Sequence, residues 1–588
     1  MRLRRLRWPM LLAAIALFSV LPVPEFWITQ GNYIGIASLA VLGLVLLTGI
    51  GGLTSFGQAA FVGIGAYSSA YLTVHAGLSP WLTLFIGLAL TGACALVLGW
   101  ITLRMSGHYL PLATLAWGLS LYYLMGNLEM LGKYDGILNV TGLHLFGWEL
   151  GHGRAFFVLT WALVLLAALF MTHLLDSRTG RAIRALKSSS LMAESMGVNT
   201  FRFKVGIFLM AALLASVSGW LYAHFQRSVT PSPFGVHVGI EYLFMAVLGG
   251  AGYVWGAITG VAVTKLMADQ LQVLLPSLIG TSGSYETIVF GVMLVLILQY
   301  APDGIWSFVD RNLPKENRPC DWSDARPLAQ RAKPMRGDVV LQAQGLRKEF
   351  GGLVAVNDID FAVEAGQIVG LIGPNGAGKS TTFNLITGVL GLTAGQVRFL
   401  GKDISGLASR DIARCGISRT FQHVRMIADM SVLENVALGT HLRGSKGAIS
   451  AMLRLDRDEE RRLFREAELQ LRRVGMGDYL HEPAGNLAMG LQRLLEIARA
   501  LCNDPALLLL DEPAAGLRHQ EKQALAVVFR QLKSEGMSLL LVEHDMDLVM
   551  QVTDRIVVME FGTRLIEGTP AQIQASPEVR AAYLGTEH

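Results

Sequence analysis

The chain has 588 residues, of which 52% are hydrophobic and only 16% charged, with a formal net charge of +4. Soluble domains carry about 25% charged residues, so a wholly soluble protein is excluded. The small positive balance sits mostly in arginines and lysines beside apolar runs, which gives no case for nucleic-acid binding.

Apolar runs of about 18–22 residues, the length that crosses a ~30 Å hydrocarbon core as helix, fill the chain before residue 310. They lie near 9–27, 33–50, 53–74, 81–103, 109–126, 155–175, 204–225, 240–271 and 287–300. Arg2, Arg4, Arg5 and Arg7 precede the first run. No small-residue cleavage site follows cleanly and further apolar segments keep coming, so this run reads as a retained span rather than a secretory signal. The positive-inside rule places these arginines in the cytoplasm, together with the loop that carries Arg178, Arg181, Arg184, Lys187, Arg202 and Lys204. A cytoplasmic C-terminal half then requires the 240–271 run to be split at Gly249, Gly250, Gly252 and Gly256, which gives about ten crossings. Broken helices of this kind face protein or a watery path. Glu241 begins the short first piece. It either faces a pore or partner, or is hydrated at an interface.

The basic loop over 179–200 holds an amphipathic stretch, Ala182, Ile183, Leu186, Leu191, Met192 and Met196, bounded by Gly180 and Gly197. The pattern suits a helix docked on protein and equally one lying on a membrane surface. The membrane half, residues 1–310, ends near Asp310. Residues 311–337 are charged and broken by Pro314, Pro319, Pro327 and Pro334, the composition of a cytoplasmic linker. Strands and helices alternate over 338–588, as in an α/β domain with its own core. Cys94, Cys320, Cys415 and Cys502 are scattered without metal-ligand spacing, and no disulfide framework is expected.

Within this second half, Gly373, Pro374, Asn375, Gly376, Ala377, Gly378, Lys379, Ser380 and Thr381 satisfy the phosphate-binding pattern G-x-x-x-x-G-K-[ST]. An apolar strand, 368–372, precedes them, and a helix over 382–387 follows, with Gly388 as its stop. The glycines let successive N–H groups point at phosphate oxygens with a helix N-terminus behind them. Lys379 supplies charge for the β- and γ-phosphates, and Ser380 a hydroxyl for Mg²⁺. ATP with Mg²⁺ is the expected cofactor pair.

The apolar run 507–510 ends in Asp511 and Glu512. Asp511 is placed to bind Mg²⁺ and Glu512 to orient and deprotonate the attacking water. A second strand, 538–542, leads to Glu543 and His544, and His544 is suited to hold that water against the γ-phosphate. Gln422 supplies a γ-phosphate and Mg²⁺ sensor at the junction to a helical subdomain. Phe350, ahead of a glycine pair, is a candidate to stack on adenine, though a core aromatic would look the same in sequence.

The run Leu487-Ala488-Met489-Gly490-Leu491-Gln492-Arg493, followed by a helical stretch, resembles the signature motif of ATP-binding cassette proteins, usually Leu-Ser-Gly-Gly-Gln. In that family the loop binds the γ-phosphate of ATP held by the opposite subunit. Here alanine and leucine replace a hydroxyl and an amide, while Gly490 and the backbone donors remain. Arg518 also stands where the family usually shows aspartate or asparagine.

With these residues in place, the chain resembles a fusion of two subunits of the high-affinity branched-chain amino acid ABC importer family. Residues 346–584 resemble the ATPase subunit, including Gly351-Gly352-Leu353, Ala355-Val356-Asn357 and the ending over 577–585. The first half resembles the permease through Leu53-Thr54-Ser55-Phe56-Gly57-Gln58-Ala59-Ala60-Phe61, with Gly63, Gly65, Ala66 and Tyr67, and through Ile240-Glu241-Tyr242-Leu243 with Leu248-Gly249-Gly250. The resemblance implies a polytopic α-helical membrane domain followed by an α/β P-loop cassette with a helical subdomain. It implies ATP hydrolysis coupled to solute import across the bacterial inner membrane, with the cassette cytoplasmic. It also implies a second permease and a second ATP-binding subunit, or a second copy of this chain, and a periplasmic solute-binding protein beside the surrounding lipid. The basic loop resembles a coupling helix that enters the cassette near Gln422. Because the permease family also handles urea and amides, the solute class is wider than branched-chain amino acids. An exporter fits less well, because the spans are short and glycine-rich. A degenerate structural cassette is the reading suggested by the altered signature, and the intact hydrolysis residues oppose it.

Overall fold

The computed structural model describes residues 15–16, 18–105, 109–145, 148–150, 153–279, 286–312 and 322–584. Parts of the first expected span, its leading arginines and Cys320 lie outside them. Two compact units divide the chain: one comprises Met1–Leu175 with Phe201–Glu316, the other Asp176–Thr200 with Asn317–His588.

The first unit is helical. Among the described residues four helices are long and apolar enough to cross a membrane: Glu25–Ile50, Pro80–Thr102, Arg154–Leu175 and Thr200–Gln226. A fifth candidate is the broken pair Val236–Gly249 and Val254–Gln272, bent by 116° at the expected glycine cluster. The described residues, which leave out most of the first expected span, do not confirm the ten crossings read from the sequence. The run expected over 53–74 is helical only from Gln58 to Val74, 17 residues. Its irregular approach is tolerable because its polar groups find protein partners. The Phe56 N–H donates to Thr114 Oγ1 at 3.1 Å, and buried Gln58 Nε2 donates to Ala211 O at 2.7 Å. The last apolar helix is described over Glu286–Tyr300, 15 residues.

Small residues let these helices touch, as expected where lipid offers no hydrophobic drive to associate. A Cβ on Gly260 would come within 1.9 Å of Met245 O, and one on Gly219 within 1.9 Å of Val62 O. Any side chain there would force the helices apart.

The second unit holds a six-stranded sheet in the order Ile417–Arg419, Leu507–Asp511, Ser538–Val542, Ile368–Ile372, Arg555–Glu560, Thr563–Gly568. The first five strands run parallel, and the last pair is antiparallel. Every residue of the three central strands is buried, which explains their unbroken apolar sequences. A four-stranded antiparallel sheet, ordered Leu353–Glu364, Val339–Phe350, Ala394–Phe399, Lys402–Asp403, covers one side. Its core includes Val340, Val356, Phe383 and Val542. The other core includes Leu433, Phe464, Leu495 and Phe529, from the helical subdomain and its neighbours.

Two segments join this unit that composition assigned elsewhere. Asp176–Thr200, the basic loop of the membrane half, packs within it. Trp322, in the stretch expected to be plain linker, is 4% exposed and stacks on Phe464 with ring centroids 5.4 Å apart. Its indole N–H donates to Glu468. Residues 322–338 form no helix or strand, yet one large side chain among them finds a core. Replacing it by alanine should destabilise the cassette by about 3–5 kcal/mol, read as a lower thermal midpoint for unfolding of the full chain in detergent.

Candidate functional site

Parallel strands ending in register bring the expected chemistry to one edge. Asp511 lies beside Val542, and Val542 beside Leu371. The residues that follow, Gly373, Glu512 and Glu543, therefore leave the sheet together. Open parallel sheets bind ligands at this carboxyl edge.

The phosphate loop has the backbone its glycines permit. Gly376 and Gly378 take φ of +83° and +92°. A Cβ on Gly378 would meet Ala355 O at 2.6 Å. Pro374, Asn375, Ala377 and Thr381 complete the loop, and the helix starts at Lys379. Lys379 Nζ folds back to donate to Gly373 O at 2.7 Å and Pro374 O at 2.9 Å. Burial holds its ammonium below the ordinary value, against the opposing pull of Glu512 and Asp511. Ser380 is exposed on the next position.

Asp511 is 6% exposed, and its Oδ1 has no hydrogen-bond partner. Burial pushes its carboxyl up to about 6, assisted by the Glu512 charge and opposed by Arg419. An unpartnered, buried carboxylate oxygen beside a hydroxyl-bearing phosphate loop fits a hard divalent cation such as Mg²⁺. Glu512 adopts a left-handed φ of +45°, and its N–H donates to Val542 O at 2.8 Å. Gln422 Nε2 donates to Glu512 Oε2 at 2.9 Å, and His544 Nδ1 lies 3.8 Å from the same oxygen. Three of the expected residues thus meet at one carboxylate. Fully buried Glu543 braces the group, accepting from the Ala514 N–H at 2.7 Å and the His544 N–H at 2.9 Å.

Two expected residues stand apart from this cluster. Phe350 is 45% exposed at a strand end, with Lys348 Nζ 5.1 Å from its ring centroid. Gly490 begins the helix Met489–Leu501, where Ala488 at the cap position makes no side-chain bond to the helix. A Cβ on Gly490 would come 2.7 Å from Glu521 Oε1.

Sequence reasoning missed what holds Gln422. Arg493, on that same helix, donates to Phe421 O at 2.9 Å and Gln422 O at 2.6 Å. One and two turns on, Glu496 Oε1 accepts from the Arg425 N–H at 3.0 Å, and Arg499 donates to Arg425 O at 2.6 Å. Their side chains are at most 4% exposed. Charges recurring at every third residue of an otherwise apolar helix were the available signal. Arg419, equally buried, donates to Thr387 Oγ1 at 2.7 Å and lies 4.7 Å from the Phe383 ring and 4.6 Å from the Phe421 ring.

Residues 24–298 match the profile of a family described as branched-chain amino acid transport system / permease component. Residues 356–515 match the ABC transporter profile, and 567–588 match that of the branched-chain amino acid ATP-binding cassette transporter. The high-affinity branched-chain amino acid transport ATP-binding protein BraF of Pseudomonas aeruginosa is 43% identical over 249 residues, 42% of this chain and 98% of that protein. The chain belongs to the branched-chain amino acid ABC transporter family. LivG of Escherichia coli, named for the same role, is likewise 43% identical over 249 residues, 98% of its length. The probable LivG of Archaeoglobus fulgidus is 38% identical over 248 residues, 42% of this chain and 96% of that protein. Membership makes the chain a membrane protein that carries an ATP-hydrolysing cassette and works with partner subunits.

Arg493→Lys keeps the charge of this family member's buried helix but loses the fork that spans two carbonyls. In the assembled transporter, kcat for ATP should fall about tenfold while KM changes less than about threefold, the split expected when Gln422 is mispositioned rather than nucleotide binding lost.

Proposed function

We propose that this protein is the fused permease and ATPase subunit of a binding-protein-dependent importer of branched-chain amino acids and related small polar solutes in the bacterial inner membrane. Its assembly has two permease and two cassette domains, supplied by partner subunits or a second copy of this chain, with a periplasmic protein delivering the solute.

The observation that carries this reading is the seating of the membrane half's basic loop among cassette residues. Arg181 Nη1 pairs with Glu460 Oε2 at 2.7 Å, the side chains 2% and 4% exposed, and the guanidinium lies 4.7 Å from the Phe464 ring. Arg178 donates to His441 O and to Lys446 O, both at 2.6 Å. Ser188 Oγ donates to Met426 O at 3.1 Å, in the loop that carries Gln422. Ala182, Ile183, Leu186, Met192 and Met196 are buried, whereas Leu191, expected on the same face, is 37% exposed. Most of the amphipathic face is thus covered by cassette protein, which favours a coupling helix over one resting on lipid. A shift of Gln422 with nucleotide state therefore has a direct path to residues that continue into two spanning helices, Arg154–Leu175 and Thr200–Gln226.

The chemistry follows from the strand-edge cluster. Backbone N–H groups of the phosphate loop bind the β- and γ-phosphates, and Lys379 exchanges its two carbonyl partners for phosphate oxygens. Ser380, Asp511 and Gln422 would hold Mg²⁺, which would supply charge neutralisation at the phosphates. Glu512 takes the proton of the attacking water, and His544 holds that water in line. Phe350 offers an exposed face to adenine. Gly490 and the backbone at the start of its helix serve the nucleotide of the opposite subunit.

Vesicles holding the complete transporter should accumulate leucine, isoleucine or valine only with ATP on one face and binding protein on the other; equal uptake without binding protein sinks the importer reading. Glu512→Gln keeps size but removes the base, and should slow ATP turnover by at least ~10²-fold with nucleotide binding retained. Asp511 binds a proton below about pH 6, and a neutral carboxyl ligates a cation poorly. The Mg²⁺ concentration for half-maximal ATPase should therefore rise as pH falls through 6, by up to about tenfold per unit. A flat dependence between pH 7 and 5 would remove Asp511 from the metal site.

A further inference from the structure

The two arms of the bent helix pair carry an ion pair that the ATP chemistry does not use. Lys265 Nζ donates to Glu241 Oε1 at 3.0 Å. On the bend itself, a Cβ on Gly304 would lie 2.4 Å from Gly250 Cα. Gly304 immediately precedes the helix Ile305–Arg311, from which the chain leaves the membrane half. Counting from Val254, Lys265 stands about 16 Å along its helix at ~1.5 Å per residue, a length about half the thickness of a ~30 Å hydrocarbon core. One turn further, Asp269 accepts a hydrogen bond from Gln30. A short polar ladder thus runs through otherwise apolar helices.

The Glu241 and Lys265 side chains are each 32% exposed. Arg181 and Glu460, which tie one segment to another, are sealed at 2% and 4%. Charges left a third open on membrane helices are expensive against lipid, so the open side faces water or a partner's permease domain. An α-amino acid at neutral pH carries an ammonium and a carboxylate on one carbon. The pair presents the complementary carboxylate and ammonium side by side, 3.0 Å apart. With solute absent, the two residues neutralise each other, so an empty path never holds an unpaired charge.

We propose that Glu241 and Lys265 form the membrane-half site for the zwitterionic head group of the imported amino acid, Glu241 taking the ammonium and Lys265 the carboxylate. This rests on the amino-acid import reading and goes beyond it by naming where the solute is recognised during passage.

The test uses the complete transporter in proteoliposomes with its binding protein and radiolabelled leucine. Wild-type uptake of leucine tests the import reading; its absence removes that reading and this site together. Given uptake by wild type, E241Q/K265Q keeps an amide pair of similar size without charge, and E241K/K265E keeps an ion pair of reversed polarity. Both should assemble with melting temperatures near wild type, yet leucine uptake should fall at least tenfold, with KM raised. Uptake within twofold of wild type by the neutral pair, or restored by the reversed pair, makes the residues a structural tie and overturns the proposal. Should the neutral pair fail to assemble, the reversed pair alone decides between the two.

Discussion

A parallel strand buried on both faces has nowhere to keep a polar side chain except at its end. Leu507–Asp511, Ser538–Val542 and Ile368–Ile372 obey that constraint together, since every residue in them is buried. Register then forces Asp511, Glu512, Glu543 and the phosphate loop onto one edge. Burial there, with the Glu512 charge assisting, raises the Asp511 pKa, and one of its oxygens is left unpartnered. The strain at Glu512, φ +45°, has the same origin: the chain must turn at once from the strand while its N–H still bonds to Val542 O.

The same cassette is addressed from two directions through Gln422. The helix after the signature loop grips its backbone through Arg493, and the basic loop of the membrane half holds Met426 nearby through Ser188. Both grips use side-chain donors on main-chain carbonyls, so they constrain position and leave the Gln422 side chain to follow its ligands. Buried ion pairs such as Arg181–Glu460 add little net stability once desolvation is counted, but removing one partner strands the other. Their contribution is a defined seating, which a joint that transmits displacement requires.

What could be read from sequence follows the range of the physics. The phosphate loop and both acidic strand ends are local patterns, each a few contiguous residues with an apolar strand in front, so their convergence at one edge was legible. The bend at Gly249–Gly250 was legible for the same reason. The start of the helix at Gln58 was not, because hydropathy measures apolar content while a helix also needs unbroken backbone, and the chain before Gln58 lacks it. Arg493, Glu496 and Arg499 acquire their meaning from backbone carbonyls and an N–H some seventy residues away, and Trp322 from a core built by later helices. The amphipathic loop was ambiguous in principle, since its pattern specifies an apolar neighbour without saying whether that neighbour is lipid or protein.

Joining both halves in one polypeptide changes what the docked loop must accomplish. A separate ATPase subunit has to bind its permease tightly enough to survive dilution. Here the cassette is tethered at Arg311, and a short tether holds a docking segment at an effective concentration in the millimolar range. The Arg178 and Arg181 contacts therefore need not by themselves keep the motor on its permease. Selection on that joint is freed from affinity and left to act on timing.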